Sequence, residues 1–160
     1  MMVDAAKLSK VLLDEIGLKS FIKTSGGKGF HIVVPLTRRQ QWNEVKAFSR
    51  AVARYMARLM PERFSAVLGP KNRVGKIFID YLRNGKGAST AAAYSARARP
   101  GLGVSMPIAW EELESVRAAD QWTIQNAAQR VQTLSADPWD GFFRTRQGIT
   151  AAMRRAVGHD

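Results

Sequence analysis

The sequence contains no cysteine, which excludes a disulfide scaffold, a thiolate metal site and a cysteine nucleophile. Histidine is nearly as scarce. His31 and His159 are the only two, so a multi-histidine metal centre is excluded as well. Acidic residues are few, 13 against 25 lysines and arginines, for a net charge of +12. No apolar run approaches membrane-spanning length, and Met1-Met-Val-Asp4 has no apolar signal core. These absences predict a soluble, cytoplasmic chain with no membrane partner. The charge excess points to a polyanion, because neutralised phosphates release counterions. Nucleic acid fits better than an acidic lipid surface, since no basic amphipathic helix is flanked by exposed aromatics. At 160 residues and 46% hydrophobic the chain fits one domain with a real core.

What is present is organised around Phe21-Ile-Lys-Thr-Ser-Gly-Gly-Lys-Gly-Phe-His31, running on to Leu36. It reads as strand, glycine-rich turn, strand. Glycines let successive backbone N–H groups turn toward one point, a nest suited to a phosphate. Ser25 adds a hydroxyl, Lys28 a charge and His31 a ring. The stretch is not a Walker loop, because GxxxxGK[ST] is absent and the turn leads into a strand. An ordinary surface hairpin remains the alternative.

Elsewhere the spacing predicts a helix capped by Asp4, with Leu8, Val11, Leu12 and Ile16 on one face and Gly17 as its stop. A second helix is expected from about Arg39 to Met60, closed by Pro61. Its lysine and arginine stripe (Lys46, Arg50, Arg54, Arg58) is expected to be a solvated face. Residues 62–72 read as loop, 75–82 as a buried strand, 83–87 as a sharp basic turn, and 89–95 as a return strand. A short strand is expected at 104–107, helices at 110–116 and 123–134, and a last helix at about 142–157. Glu111, Glu112 and Glu114 are expected to be solvated, and Trp110 and Trp139 to anchor helices rather than stack on bases.

Asp80 is the carboxylate embedded in an apolar run. Burying it bare costs several kcal/mol, so it needs a partner. One reading is an ion pair with Arg73, Lys76 or Arg83. The other is a divalent metal ligand facing a triphosphate held by the Ser25–His31 loop.

Three blocks together resemble the polymerase domain of bacterial ligase D, a primase-like polymerase of non-homologous end joining. They are Lys23-Thr-Ser-Gly-Gly-Lys-Gly-Phe-His31, Arg73-Val-Gly-Lys-Ile-Phe-Ile-Asp-Tyr-Leu-Arg-Asn84, and Tyr94-Ser-Ala-Arg-Ala-Arg-Pro100 with Val104-Ser-Met-Pro107 and Trp110-Glu-Glu-Leu113. The resemblance implies an α/β primase-like fold, a mixed or antiparallel sheet with flanking helices. It implies nucleotide addition to DNA ends in double-strand-break repair, with Mg2+ or Mn2+ as cofactor. By position, Ser25, Lys28, His31 and Arg97 would bind the triphosphate, Asp80 would hold a metal, and Arg73, Arg83 and Lys86 would meet DNA. The implied partners are DNA, nucleoside triphosphates, and the ligase and nuclease domains of a larger protein.

The chain departs from that family pattern in one respect. No Asp-x-Asp occurs in it, and the family places two of its three metal-binding aspartates in such a motif. The resemblance therefore covers the carboxyl-terminal part of the domain, residues 1–160. The expectation is phosphate and nucleic-acid affinity with little or no polymerase activity by this chain alone. A truncated product, an expressed fragment, one half of a split polymerase and a non-catalytic nucleotide-binding module all stay open. Exposed sheet edges lead to an expectation of self-association.

Overall fold

The computed structural model describes residues 2–158; His159 lies outside them. Those residues form two compact units built from alternating segments, the first from residues 2–14, 18–35 and 91–145, the second from 15–17, 36–90 and 146–158.

The first unit contains most of α1 (Met2–Glu15). Asp4 lies within its first turn instead of capping it, a position that still suits the helix dipole. The buried face is Ala5, Ala6, Leu12 and Leu13, and Val11 is exposed. The stripe is thus rotated from the expected one, with Ala5, Ala6 and Leu13 joining Leu12.

The glycine-rich hairpin forms as expected. β1 (Phe21–Thr24) pairs antiparallel with β2 (Phe30–Val33), and Lys23 lies opposite His31. On its other side β1 pairs antiparallel with β5 (Pro107–Ile108), giving the sheet order β2-β1-β5. The central strand β1 is buried along its whole length. Ile22, Ile108, Leu113, Val116 and Ala6 form the core beside it. Each large side chain buried there contributes about 1.5–3 kcal/mol.

Two tryptophans anchor this sheet through their indole N–H groups: Trp110 Nε1 donates to the Ser20 carbonyl and Trp139 Nε1 to that of Ile22, at 2.9 and 2.8 Å. Trp139 also stacks on Phe142 at 4.8 Å between ring centres. The anchoring role expected for them holds, with β1 and its approach as the anchored element. Trp110–Ser115 is a 3-10 helix. Glu112 is not solvated there, since it accepts from the Ala109 amide at 2.9 Å and pairs with Arg130. Glu114 pairs with Lys7, whose hydrogen bond holds the Glu114 carboxyl below its ordinary range. α3 is short, Ala127–Gln132.

The return strand expected at 89–95 does not form, because Tyr94 takes a left-handed φ of +64°. The long last helix is also absent. A 3-10 turn at Phe142–Arg144 is followed by extended chain, and α4 (Ala151–Ala156) starts afresh at Thr150, whose hydroxyl accepts from the Met153 amide.

In the second unit α2 (Trp42–Leu59) buries Phe48, Ala53 and Met56, while Lys46, Arg50, Arg54 and Arg58 face solvent as expected. Residues 62–72, expected to be loop, contain a strand, β3 (Phe64–Ser65), parallel to β4 (Ile77–Phe78). The strand expected over 75–82 shrinks to these two residues of β4. No helix among the described residues is long and apolar enough to cross a membrane.

Candidate nucleotide site

The β1–β2 turn belongs to the first unit, and its geometry is closed from within. The Ser25 amide donates to the Gly29 carbonyl at 2.8 Å, and the Gly29 amide returns a bond to Ser25 Oγ at 3.1 Å. Gly26 donates to the Ala119 carbonyl at 3.0 Å. Three amides of the turn are therefore taken up by the fold, and a phosphate nest here is limited to those of Gly27 and Lys28. The wider nest expected from three glycines is corrected to that extent.

Gly26 has a φ of +63°, and a Cβ there would lie 2.6 Å from the Gly103 carbonyl oxygen. The reciprocal distance, from a Cβ on Gly103 to the Gly26 oxygen, is 2.7 Å. Two backbones meet at this point, and only glycine fits on either side. The contact docks the Arg97–Val104 connection against the hairpin. Arg97 Nη1 donates to the Ser25 carbonyl at 2.8 Å, and Arg97 N–H donates to the Gly103 carbonyl at 2.8 Å. One arm of the guanidinium thus holds the turn, and its remaining N–H groups are available to an anion. Arg99 joins it: a Cβ on Gly27 would stand 3.5 Å from Arg99 Nη1.

The structure therefore brings Ser25, Lys28, His31 and Arg97 onto one hairpin and its docked loop. Lys28 is exposed, His31 and Arg97 are half-buried, and Ser25 is buried.

Lys23 stands out only in three dimensions. It is only 3% exposed in the middle of the sheet. Its ammonium lies 2.9 Å from His31 Nδ1 and donates to the Ala91 carbonyl at 2.7 Å and to Ser105 Oγ at 2.6 Å. Burial, and secondarily the Arg97 charge, lower its pKa to about 8. An ammonium can only donate, so Nδ1 of His31 is the acceptor and the ring proton sits on Nε2. The signal in the sequence that could have found it is a lysine flanked by Phe21, Ile22 and Thr24 in a strand, with the turn length setting it opposite His31.

The remaining candidate residues belong to the second unit. Asp80, expected in a buried strand, is exposed instead, because β4 ends before it. Its Oδ1 accepts from the Leu82 amide at 2.9 Å, and its Oδ2 lies 3.8 Å from Arg83 Nε. Of the three basic partners considered, Arg83 is the one it meets. Arg73 rests its guanidinium 4.9 Å from the centre of the Phe78 ring. Lys86 is exposed on the turn after a 3-10 segment, Leu82–Asn84. Among the described residues no group of three or more His, Asp or Glu could hold a metal ion.

A sequence model of the LigD primase-polymerase domain matches residues 1–139. The chain is 60% identical, over 98% of its length, to the multifunctional non-homologous end joining protein LigD of Pseudomonas aeruginosa, of which it spans 19%. It is 32% identical, over 92% of its length, to the bifunctional LigD protein of Bacillus subtilis, of which it spans 24%. The solved polymerase domain of Mycobacterium tuberculosis ligase D in complex with DNA superposes with a TM-score of 0.78 at 27% identity, covering 88% of this chain and 48% of that one. The expected mixed α/β architecture with an antiparallel sheet matches that likeness. By sequence and by fold, this chain belongs to the LigD primase-polymerase domain family.

Proposed function

We propose that this chain supplies the triphosphate-binding half of a DNA-end polymerase acting in double-strand-break repair. The observation that carries the proposal is the Lys23–His31 pair at 2.9 Å beside a hairpin clamped by Arg97. With its proton on Nε2, His31 donates to a phosphate oxygen. Ser25 Oγ accepts from Gly29 and keeps its own O–H for donation. Lys28 and the free arms of Arg97 neutralise charge. Arg73, Arg83 and Lys86 present cations to a DNA backbone.

Phosphoryl transfer onto a 3′ hydroxyl uses two divalent ions clamped by several carboxylates. The residues here do not fit that group. Asp80 offers one carboxylate, already engaged with the Leu82 amide and near Arg83. No step is therefore assigned to Mg2+ or Mn2+ on this chain alone, and Asp80 is proposed as a single ligand within a larger set. Nucleoside triphosphates and DNA are the proposed partners, with ligase and nuclease domains of a longer protein beside them. The edge strands β2 and β5 are the proposed route to self-association.

Titration of the 160-residue chain with fluorescent ATP tests the binding reading. His31→Ala and Ser25→Ala are expected to weaken it; wild-type affinity in both would end it. Primer extension with Mn2+ tests the rest, the expected result being binding without extension. A reaction abolished by Asp80→Ala would show that the chain carries a complete catalytic centre after all.

A further inference from the structure

We infer that α3 and the Leu102 turn beside it form a twofold interface between two copies of this chain. Along residues 121–136 the sequence carries one charged side chain, Arg130, in a chain that is 24% charged. That guanidinium is already engaged, paired with Glu112 and lying 5.2 Å from the centre of the Trp122 ring. The stretch is thus neutral on a molecule of net charge +12.

The same stretch leaves apolar side chains in water. Ile124 is 54% exposed and Val131 46%. The turn before α3 already bonds as a helix, since the Ala127 amide donates to the Thr123 carbonyl at 2.9 Å. Ile124, the exposed Ala128 and Val131 therefore share one side of it, at the spacing of a helical stripe. Leu102 extends the stripe. Gly103 and Thr123 pair as an antiparallel bridge, and the Ile124 amide donates to the Leu102 carbonyl at 3.2 Å, so Leu102 lies opposite Ile124. Leu102 is 42% exposed and has a φ of +45°, a conformation that leucine rarely adopts. Glycine would hold that turn without strain, so the apolar side chain is what the position supplies.

An exposed apolar face without charge has the make-up of the centre of a protein interface, where charged residues are depleted. Its occupant follows from the charge of the whole chain. A polyanion needs cations, and this face has none to offer beyond the engaged Arg130. An acidic protein gains most at the lysines and arginines elsewhere. A second copy is repelled by those residues and meets the least repulsion here, neutral face against neutral face. Gln125, Gln129 and Gln132 are exposed around the stripe. Each side-chain amide both donates and accepts, so a twofold axis pairs these residues with their own counterparts. The interface is separate from the β2 and β5 edges and does not depend on the nucleotide reading.

Sedimentation velocity of the 160-residue chain over a range of concentrations is the test. A dimer is expected whose affinity rises about 10-fold between about 0.05 and about 0.5 M NaCl, as salt screens the mutual repulsion of two cationic bodies. Ile124→Arg and Val131→Arg, both at exposed positions, are each expected to weaken it at least about 10-fold. The chain has no cysteine of its own, so a single introduced thiol reports the contact cleanly. Mild oxidation should cross-link Ala128→Cys into dimers and leave Arg50→Cys, on the solvated side of α2, largely monomeric. Equal cross-linking of the two cysteine variants overturns the proposal even if an arginine variant fails to fold. A chain monomeric up to about 1 mM, or a dimer that weakens as salt rises, overturns it as well. A dimer undiminished in both arginine variants also overturns it, and would move the contact to the strand edges.

Discussion

The Lys23 ammonium lies 2.9 Å from His31 Nδ1, directly across the β1–β2 ladder. A buried cation thus sets the tautomer of the ring expected to touch phosphate. Lys23→Met is expected to weaken fluorescent ATP binding about 10-fold, the scale of one charge-assisted hydrogen bond. In the wild type, affinity is expected to fall as pH rises through about 8, where Lys23 loses its proton. Lys23→Met should show no such step.

The same lysine makes a signed prediction about stability. Its folded pKa of about 8 lies below the ordinary 10.5. Between those values the unfolded chain binds more protons, so stability rises with pH from about 8 to about 10.5. The gain is lost again as pH falls to about 8. Urea unfolding at pH 7, 8.5 and 10, compared between wild type and Lys23→Met, isolates this contribution; a slope of the opposite sign would refute it.

Arg97 carries two roles that separate experimentally. Arg97→Ala removes the bond to the Ser25 carbonyl and a phosphate donor, and is expected to reduce ATP affinity about 10- to 100-fold. It also removes the Arg97 charge that helps lower the Lys23 pKa, so the pH step should move upward. Affinity measured across pH 7–10 reports both effects.

Gly26→Ala and Gly103→Ala should each destabilise the fold by about 1–3 kcal/mol, since a Cβ at either site meets the opposite backbone within 2.7 Å. Gly87→Ala is a useful contrast. It is strained by its φ of +76° but meets nothing within 4 Å. Thermal melting of the three variants ranks the contact against the conformational cost.

Asp80→Asn keeps an acceptor for the Leu82 amide and should leave the melting temperature near wild type. Asp80→Ala loses that bond and about 1 kcal/mol. Equal melting temperatures in both variants would deny the carboxylate its turn-capping role.

The order of residues alone determined a good deal of this protein. The hairpin follows from β-branched runs on either side of glycines, and its turn length fixes which residues face each other. The long helix α2 follows from its apolar spacing and its proline stop. The three sequence blocks carried the family resemblance that the comparisons bore out. These are local or summed properties, and a single chain displays them directly.

Tertiary structure decided the rest. Whether Asp80 is buried depends on how far β4 runs, which is set by its pairing with β3. That a lysine in the middle of a strand can lie buried without a carboxylate depends on acceptors from Ala91 and Ser105, far away in sequence. Gly26 and Gly103 need one another only once the loop has docked. A one-dimensional pattern records which groups exist and how they are spaced; which distant group satisfies a buried charge or blocks a Cβ is fixed only when the chain closes on itself.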